Sequence, residues 1–243
     1  MRMKKWLLGA VLLVGAIGVE GQNVGVVEAI PLPAHPITAE TLREMFRVTH
    51  FVETKKDAVA HSYDVGQAKL PPWYPISVWK EVEDEVLKID CVEIALPIYR
   101  RYFSEEGGKI LTRMFATPAG QAMLSAMRLK QKEEIQAGSS PGVAREKMKA
   151  DALANANVTG PAIYKDMSKK ERKEFEAYAQ SGEIGRLNKQ SDLAAMEFSV
   201  EYRDHQRQIA NAVVTKHREE LVRAKKEYLA VHPESANEDP AGK

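Results

Sequence analysis

Apolar residues along most of this chain recur every three to four positions, and no stretch shows the strict alternation of a half-buried strand, so the pattern predicts an all-α protein. Thr38 is a good N-cap, Glu40 suits the positive end of a helix dipole, and Leu42, Met45, Phe46, Thr49 and Val52 follow at helical spacing. They predict a first helix over about 39–60. Val78, Val82, Val86, Ile89 and Ile94 predict a second over about 76–102. Pro97 should kink or break it just upstream, because proline lacks an amide donor and crowds the preceding turn. Ser104 caps a short helix with Glu105 and Glu106 in its first turn, and Thr117-Pro118 opens the next. Ser168-Lys169-Lys170-Glu171 reads as a capping box for a helix to about Gln180. A very long helix then runs from near Gly182 to Val231, halted by Pro233. Arg203 and Arg207 interrupt any heptad seam along it, which favours a packed arm over a coiled coil. The expected architecture is a multi-helix bundle of short antiparallel helices plus one long C-terminal helix.

The punctuation divides the chain. Pro31, Pro33 and Pro36 make residues 22–37 an extended lead-in. Pro71-Pro72-Trp73-Tyr74-Pro75 reads as an aromatic plug over helix ends, and Ala137-Gly138-Ser139-Ser140-Pro141-Gly142 as an internal boundary. The organisation expected is a helical domain over 38–137, a C-terminal helical region over 143–232 and a disordered tail over 233–243. The second region is a possible degenerate repeat of the first: Ser104, Leu111, Phe115 and Gly120 are echoed, with a one-residue slip, by Ser168, Phe175, Tyr178 and Gly185.

The amino terminus supplies an address. Arg2, Lys4 and Lys5 precede an uncharged apolar run from Trp6 to Gly18, and small or tolerated residues surround Gly21. That order is the pattern of a cleavable signal peptide over 1–21, with the mature chain starting at Gln22 in the periplasm or outside the cell. The run is too short for a bilayer-spanning helix, which needs roughly 20 residues, and no later stretch is apolar enough to span. In an oxidising compartment the single cysteine, Cys91, has no internal disulfide partner, and its apolar helical setting suits a small buried hydrophobe. The 35 Lys and Arg residues are balanced by 34 Asp and Glu, interspersed. That balance argues against a nucleic-acid partner, because affinity for a duplex comes from basic residues gathered on one face.

Three segments carry a family resemblance: Pro97-Ile98-Tyr99, then Tyr102-Phe103-Ser104-Glu105-Glu106, then Phe115-Ala116-Thr117-Pro118-Ala119-Gly120-Gln121. Together they resemble the signature of an exported bacterial helical family catalogued as domain of unknown function 2059, over about residues 38–136. Gly107-Gly108 stands where that family usually has helix formers. The resemblance implies a helical fold and export, and it supplies no catalytic residues. Pro97, Tyr99, Phe103, Phe115, Thr117, Pro118 and Gly120 are the candidate motif residues, expected to serve structure. Thr117-Pro118-Ala119-Gly120 should be an elbow between antiparallel helices, with Phe115 beneath it and Gly120 in close contact with a neighbouring helix.

No catalytic, cofactor or metal constellation stands out. The six histidines are scattered, and Glu201 with His205 has the spacing of a surface ion pair. No Gly-x-Ser-x-Gly elbow or glycine-rich phosphate loop occurs. The sequence therefore favours a non-enzymatic envelope module that binds a protein, a peptide or its own copy. The alternative is a hydrolase or lytic enzyme whose site is assembled from residues distant in sequence.

Overall fold

Side-chain caps set five of the ten described helix starts. Thr38 accepts from the Thr41 amide at 3.3 Å, Asp90 from Val92 at 2.8 Å, Ser104 from Gly107 at 3.1 Å and Thr117 from Gly120 at 3.1 Å. Each removes one orphan donor from a first helical turn. At Ser168 the box is reciprocal: its hydroxyl accepts from the Glu171 amide at 3.3 Å, and the Glu171 carboxylate accepts from the Ser168 amide at 2.7 Å.

The computed structural model describes residues 32–137, 147, 150–151, 154–181 and 183–233. The signal peptide and its cleavage point, residues 22–31 of the lead-in, nearly all of the 137–142 boundary and the tail beyond Pro233 lie outside the described residues. Among those described, the fold is an all-α helical bundle. In chain order the helices are α1 (Ala39–Val48), α2 (Phe51–Gln67), α3 (Ile76–Leu87), α4 (Cys91–Tyr102), α5 (Glu105–Ala116), α6 (Pro118–Gln136), α7 (Ala156–Asp166), α8 (Lys169–Gln180), α9 (Glu183–Lys216) and α10 (Arg218–Val231). The only backbone pairing of β type among the described residues is an isolated antiparallel bridge between Pro36 and Ser104. It ties the end of the lead-in to the start of α5, with Ile37 donating to the Phe103 carbonyl at 2.9 Å and Glu105 to the His35 carbonyl at 2.8 Å.

Three expected helices are divided. The helix expected over 39–60 breaks at Thr49-His50, where His50 takes a left-handed φ of 53°. The His50 amide bonds to the Arg47 carbonyl at 3.2 Å, and Phe51 stacks on Phe46 with ring centroids 4.2 Å apart. Those are the reversed bond and the apolar clasp of a Schellman-type helix end, built without glycine. The helix expected over 76–102 breaks at Lys88–Asp90 instead of just before Pro97. There the last turn of α3 tightens to bonds from Lys88 to Glu85 and from Ile89 to Val86, each 3.2 Å, and Asp90 caps α4. Pro97 lies inside α4, which continues through it. Pro97 and Glu93, whose carbonyl would meet the missing amide, are both exposed, so solvent can serve that carbonyl. The long C-terminal helix is divided at the single residue His217, with φ −98° and ψ 15°.

The described chain forms two compact units, each discontinuous in sequence. One comprises residues up to Lys55 with Asp90–Tyr202; the other comprises Lys56–Ile89 and the chain from Arg203. This grouping does not follow the sequential division at 137–142. In the first unit α5 packs against α1, α6 and α8, α4 against α1, and α6 against α7. A chain of aromatic contacts forms its core: Phe103 on Tyr99, Tyr99 on Phe46, Phe46 on Phe51, Phe51 on Phe198 and Phe198 on Tyr202. Burying each such ring is worth roughly 1.5–3 kcal/mol. Lys55, itself buried, lays its ammonium 4.6 Å from the Tyr202 ring centre.

The second unit has a smaller core of Val59, Val78, Val82, Val86 and Val213. Its aromatic loop packs locally. Trp73 lies beside Tyr74, Tyr74 meets Trp79 edge-on, and the Trp79 indole sits on Tyr63 and donates to the Tyr63 carbonyl at 3.1 Å.

Candidate functional site

The motif residues divide between core and elbow. Tyr99, Phe103 and Phe115 are fully buried, whereas Pro97 and Pro118 sit on exposed helix faces. Thr117 ends α5 and begins α6: its hydroxyl donates to the Met114 carbonyl at 2.7 Å and accepts from the Gly120 amide. Pro118 follows at the first helical position, where its missing amide costs nothing. The next amide, Ala119, donates to the Asp166 carboxylate at 2.8 Å, which links the elbow to the end of α7. At Gly120 a Cβ would stand 2.4 Å from the Met114 carbonyl oxygen and 2.9 Å from Phe115 Cα. The close neighbour is thus the backbone of the preceding helix, across the elbow itself.

Gln121 completes this arrangement. Its amide donates to the Phe115 carbonyl at 2.7 Å and the Val48 carbonyl at 3.0 Å, and its oxygen lies 3.2 Å from His50 Nε2. One side chain therefore binds the carbonyl ends of α1 and α5 together.

The outer face of α5 is where charged groups converge on a concavity. A groove of about 450 Å³ is lined by His35, Glu105, Glu106, Lys109, Arg113 and Glu174, together with the apolar Ile110. A neighbouring groove of about 290 Å³ adds Glu40, Glu44, Thr41 and Thr112 and shares Glu105, Lys109 and Arg113. Those three shared residues are four apart along α5 and so stack on one helical face. The diglycine between Glu105 and Lys109 lets α5 sit close. A Cβ at Gly107 would fall 2.5 Å from the Tyr178 hydroxyl, and one at Gly108 2.7 Å from Ile37 Cδ1.

The side chains of this face are held by specific partners. Glu105 accepts from the Thr38 amide at 2.8 Å and the Thr41 hydroxyl at 2.6 Å, so a residue of α5 caps the start of α1. Lys109 approaches the same carboxylate at 3.0 Å. Burial would raise the Glu105 carboxyl, but hydrogen bonds from Thr41, Thr38 and Lys109 together outweigh it and hold the group down to about 2. Glu105 is thus an ionised clamp at neutral pH and a poor proton donor. Arg113 pairs with Glu174 of α8. Sequence reading missed this face, because the four-residue spacing of Glu105, Lys109 and Arg113 resembles any solvated helix surface. Their partners Thr38 and Glu174 are more than sixty residues away.

Among the described residues no group of three or more His, Cys, Asp or Glu side chains is placed to hold a metal ion. No described helix is long and apolar enough to cross a membrane. Cys91, the single cysteine of the chain, is buried at the first position of α4. No protein-family model, curated protein or solved structure matches the chain.

Proposed function

We propose that this chain is an exported, non-enzymatic binding module, akin to the family catalogued as domain of unknown function 2059, which recognises a protein or peptide partner across the outer face of α5. The observation that carries the reading is the set of positioned charges along that face, one carboxylate followed by two cations. Glu105, Lys109 and Arg113 border both grooves, and each is oriented by a partner from another turn or helix. A rim whose charges are already positioned loses little side-chain entropy on binding and selects a partner of complementary pattern. The Glu105 carboxylate is committed to capping α1, which suits recognition better than proton transfer. Export follows the basic, apolar and small-residue order of the first 21 residues.

A photo-crosslinking residue in place of the exposed Glu106 tests the surface in the producing cell, with the same probe at exposed Val158 as the control. A discrete adduct from position 106 that vanishes in K109E/R113E supports the reading. An adduct from position 158 alone, or one indifferent to those charges, refutes it. Amino-terminal sequencing of the recovered protein should begin at or near Gln22, and a full-length cytoplasmic chain would remove export from the proposal.

A further inference from the structure

α9 and α10 meet at one residue, and its imidazole is held on both nitrogens. His217 Nδ1 lies 2.8 Å from Glu220 Oε2 in the first turn of α10, and Nε2 lies 2.8 Å from Glu81 Oε2 on α3. Lys216 Nζ holds the other oxygen of Glu81 at 2.7 Å. Ionised carboxylates only accept hydrogen bonds, so both contacts are satisfied together only when both ring nitrogens carry hydrogen, which is the imidazolium. A neutral ring keeps one of them and turns a lone pair towards the other carboxylate.

We propose that His217 is a pH-responsive joint, which when charged pins the start of α10 to α3 through Glu81 and when neutral releases one carboxylate and loosens α10. Three features of the fold make the joint consequential. α10 has no buried side chain, so little apolar packing holds it in place. Its other described ties to this unit include the Lys225 ammonium 5.4 Å from the Trp73 ring centre. The backbone at His217 already departs from helical geometry, although its amide still bonds to the Val213 carbonyl at 3.0 Å and its carbonyl accepts from Leu221 at 2.9 Å.

The charged groups facing the ring are Glu81 from α3, Lys216 from α9 and Glu220 from α10. Glu220 first, and then Glu81, stabilises the imidazolium and raises the histidine above its ordinary value of 6.5. Glu81 is itself held low by Lys216 and His217, so it stays ionised throughout the relevant range. With the folded value raised, the pin is fully present below the unfolded value of 6.5 and is lost as pH rises through the folded one.

Spin labels on cysteines replacing exposed Asp84 and Lys226, with Cys91→Ser in the full chain, report the α3 to α10 distance. The distribution should be narrow near pH ~5.5 and at least about twofold broader near pH ~8.5, where a raised histidine gives up its proton, and H217Q separates this ring from the other five histidines. His217→Gln should be broad at both. A proton NMR titration of the ring in the otherwise unaltered chain should give a midpoint above that of a free histidine. Equal widths at the two pH values while circular dichroism stays helical, a narrow distribution in H217Q, or an ordinary or lowered ring midpoint each overturns the proposal.

Discussion

The side-chain amide of Gln121 donates to the Val48 carbonyl, 73 residues earlier in the chain and 3.0 Å away. Because the same amide also serves Phe115, and its oxygen faces His50, the loss of this one side chain affects two helix ends at once. Gln121→Met keeps the length and removes the donors, leaving two half-buried carbonyls to solvent. We expect it to cost about 1–3 kcal/mol in a urea melt. Gln121→Glu should cost more at neutral pH, since it turns a carboxylate towards those carbonyls. If the methionine variant matches the parent, the clamp contributes nothing.

Gly120→Ala should destabilise, although alanine is the better helix former by up to about 1 kcal/mol. The new methyl would stand 2.4 Å from the Met114 carbonyl oxygen, a backbone atom that moves only with the elbow. Overpacking of this kind costs about 1–3 kcal/mol, which exceeds the propensity gain. A higher melting temperature for the alanine variant would show that the elbow has room for a Cβ at position 120.

The parts of this fold written in short-range chemistry were legible. Thr38, Ser104, Thr117 and Ser168 announce their helices because a hydroxyl at that position satisfies an amide two or three residues on. The interruptions were harder to read. Thr49-His50 carries no glycine or proline, and the apolar period passes over it undisturbed, so the break depends on Phe51 stacking back on Phe46. Pro97 looked like the break and is not, whereas Asp90, a good capping residue, marks the true helix start. The α5 face was illegible for a different reason. Glu105 takes its character from Thr38 and Thr41, and Arg113 from Glu174, and no local pattern records such pairings.

Glu105 makes an acid-sensitive clamp. Its folded carboxyl is lowered to about 2 from an ordinary 4.5, so the stabilisation is fully present above about 4.5 and is lost as pH falls through about 2. Stability of the parent should therefore decline across that window more steeply than that of Glu105→Gln. At neutral pH the glutamine variant should be the weaker protein, and the two curves should converge in acid. Parallel curves down to about pH 2 would mean that the carboxylate is not the group that caps α1.

His50 separates the continuous first helix that the sequence suggests from the broken one that the structure has. In a continuous helix an alanine at position 50 would be more stable than a glycine by about 1 kcal/mol. The observed φ of 53° reverses that order, because left-handed backbone costs an alanine about 1–2 kcal/mol and a glycine almost nothing. Both variants lose the imidazole and its contact with Gln121, so that loss cancels when the two are compared with each other. His50→Gly should melt above His50→Ala by an amount corresponding to about 1 kcal/mol. The opposite order would restore the single helix over 39–60 and remove the geometry that brings Phe51 onto Phe46.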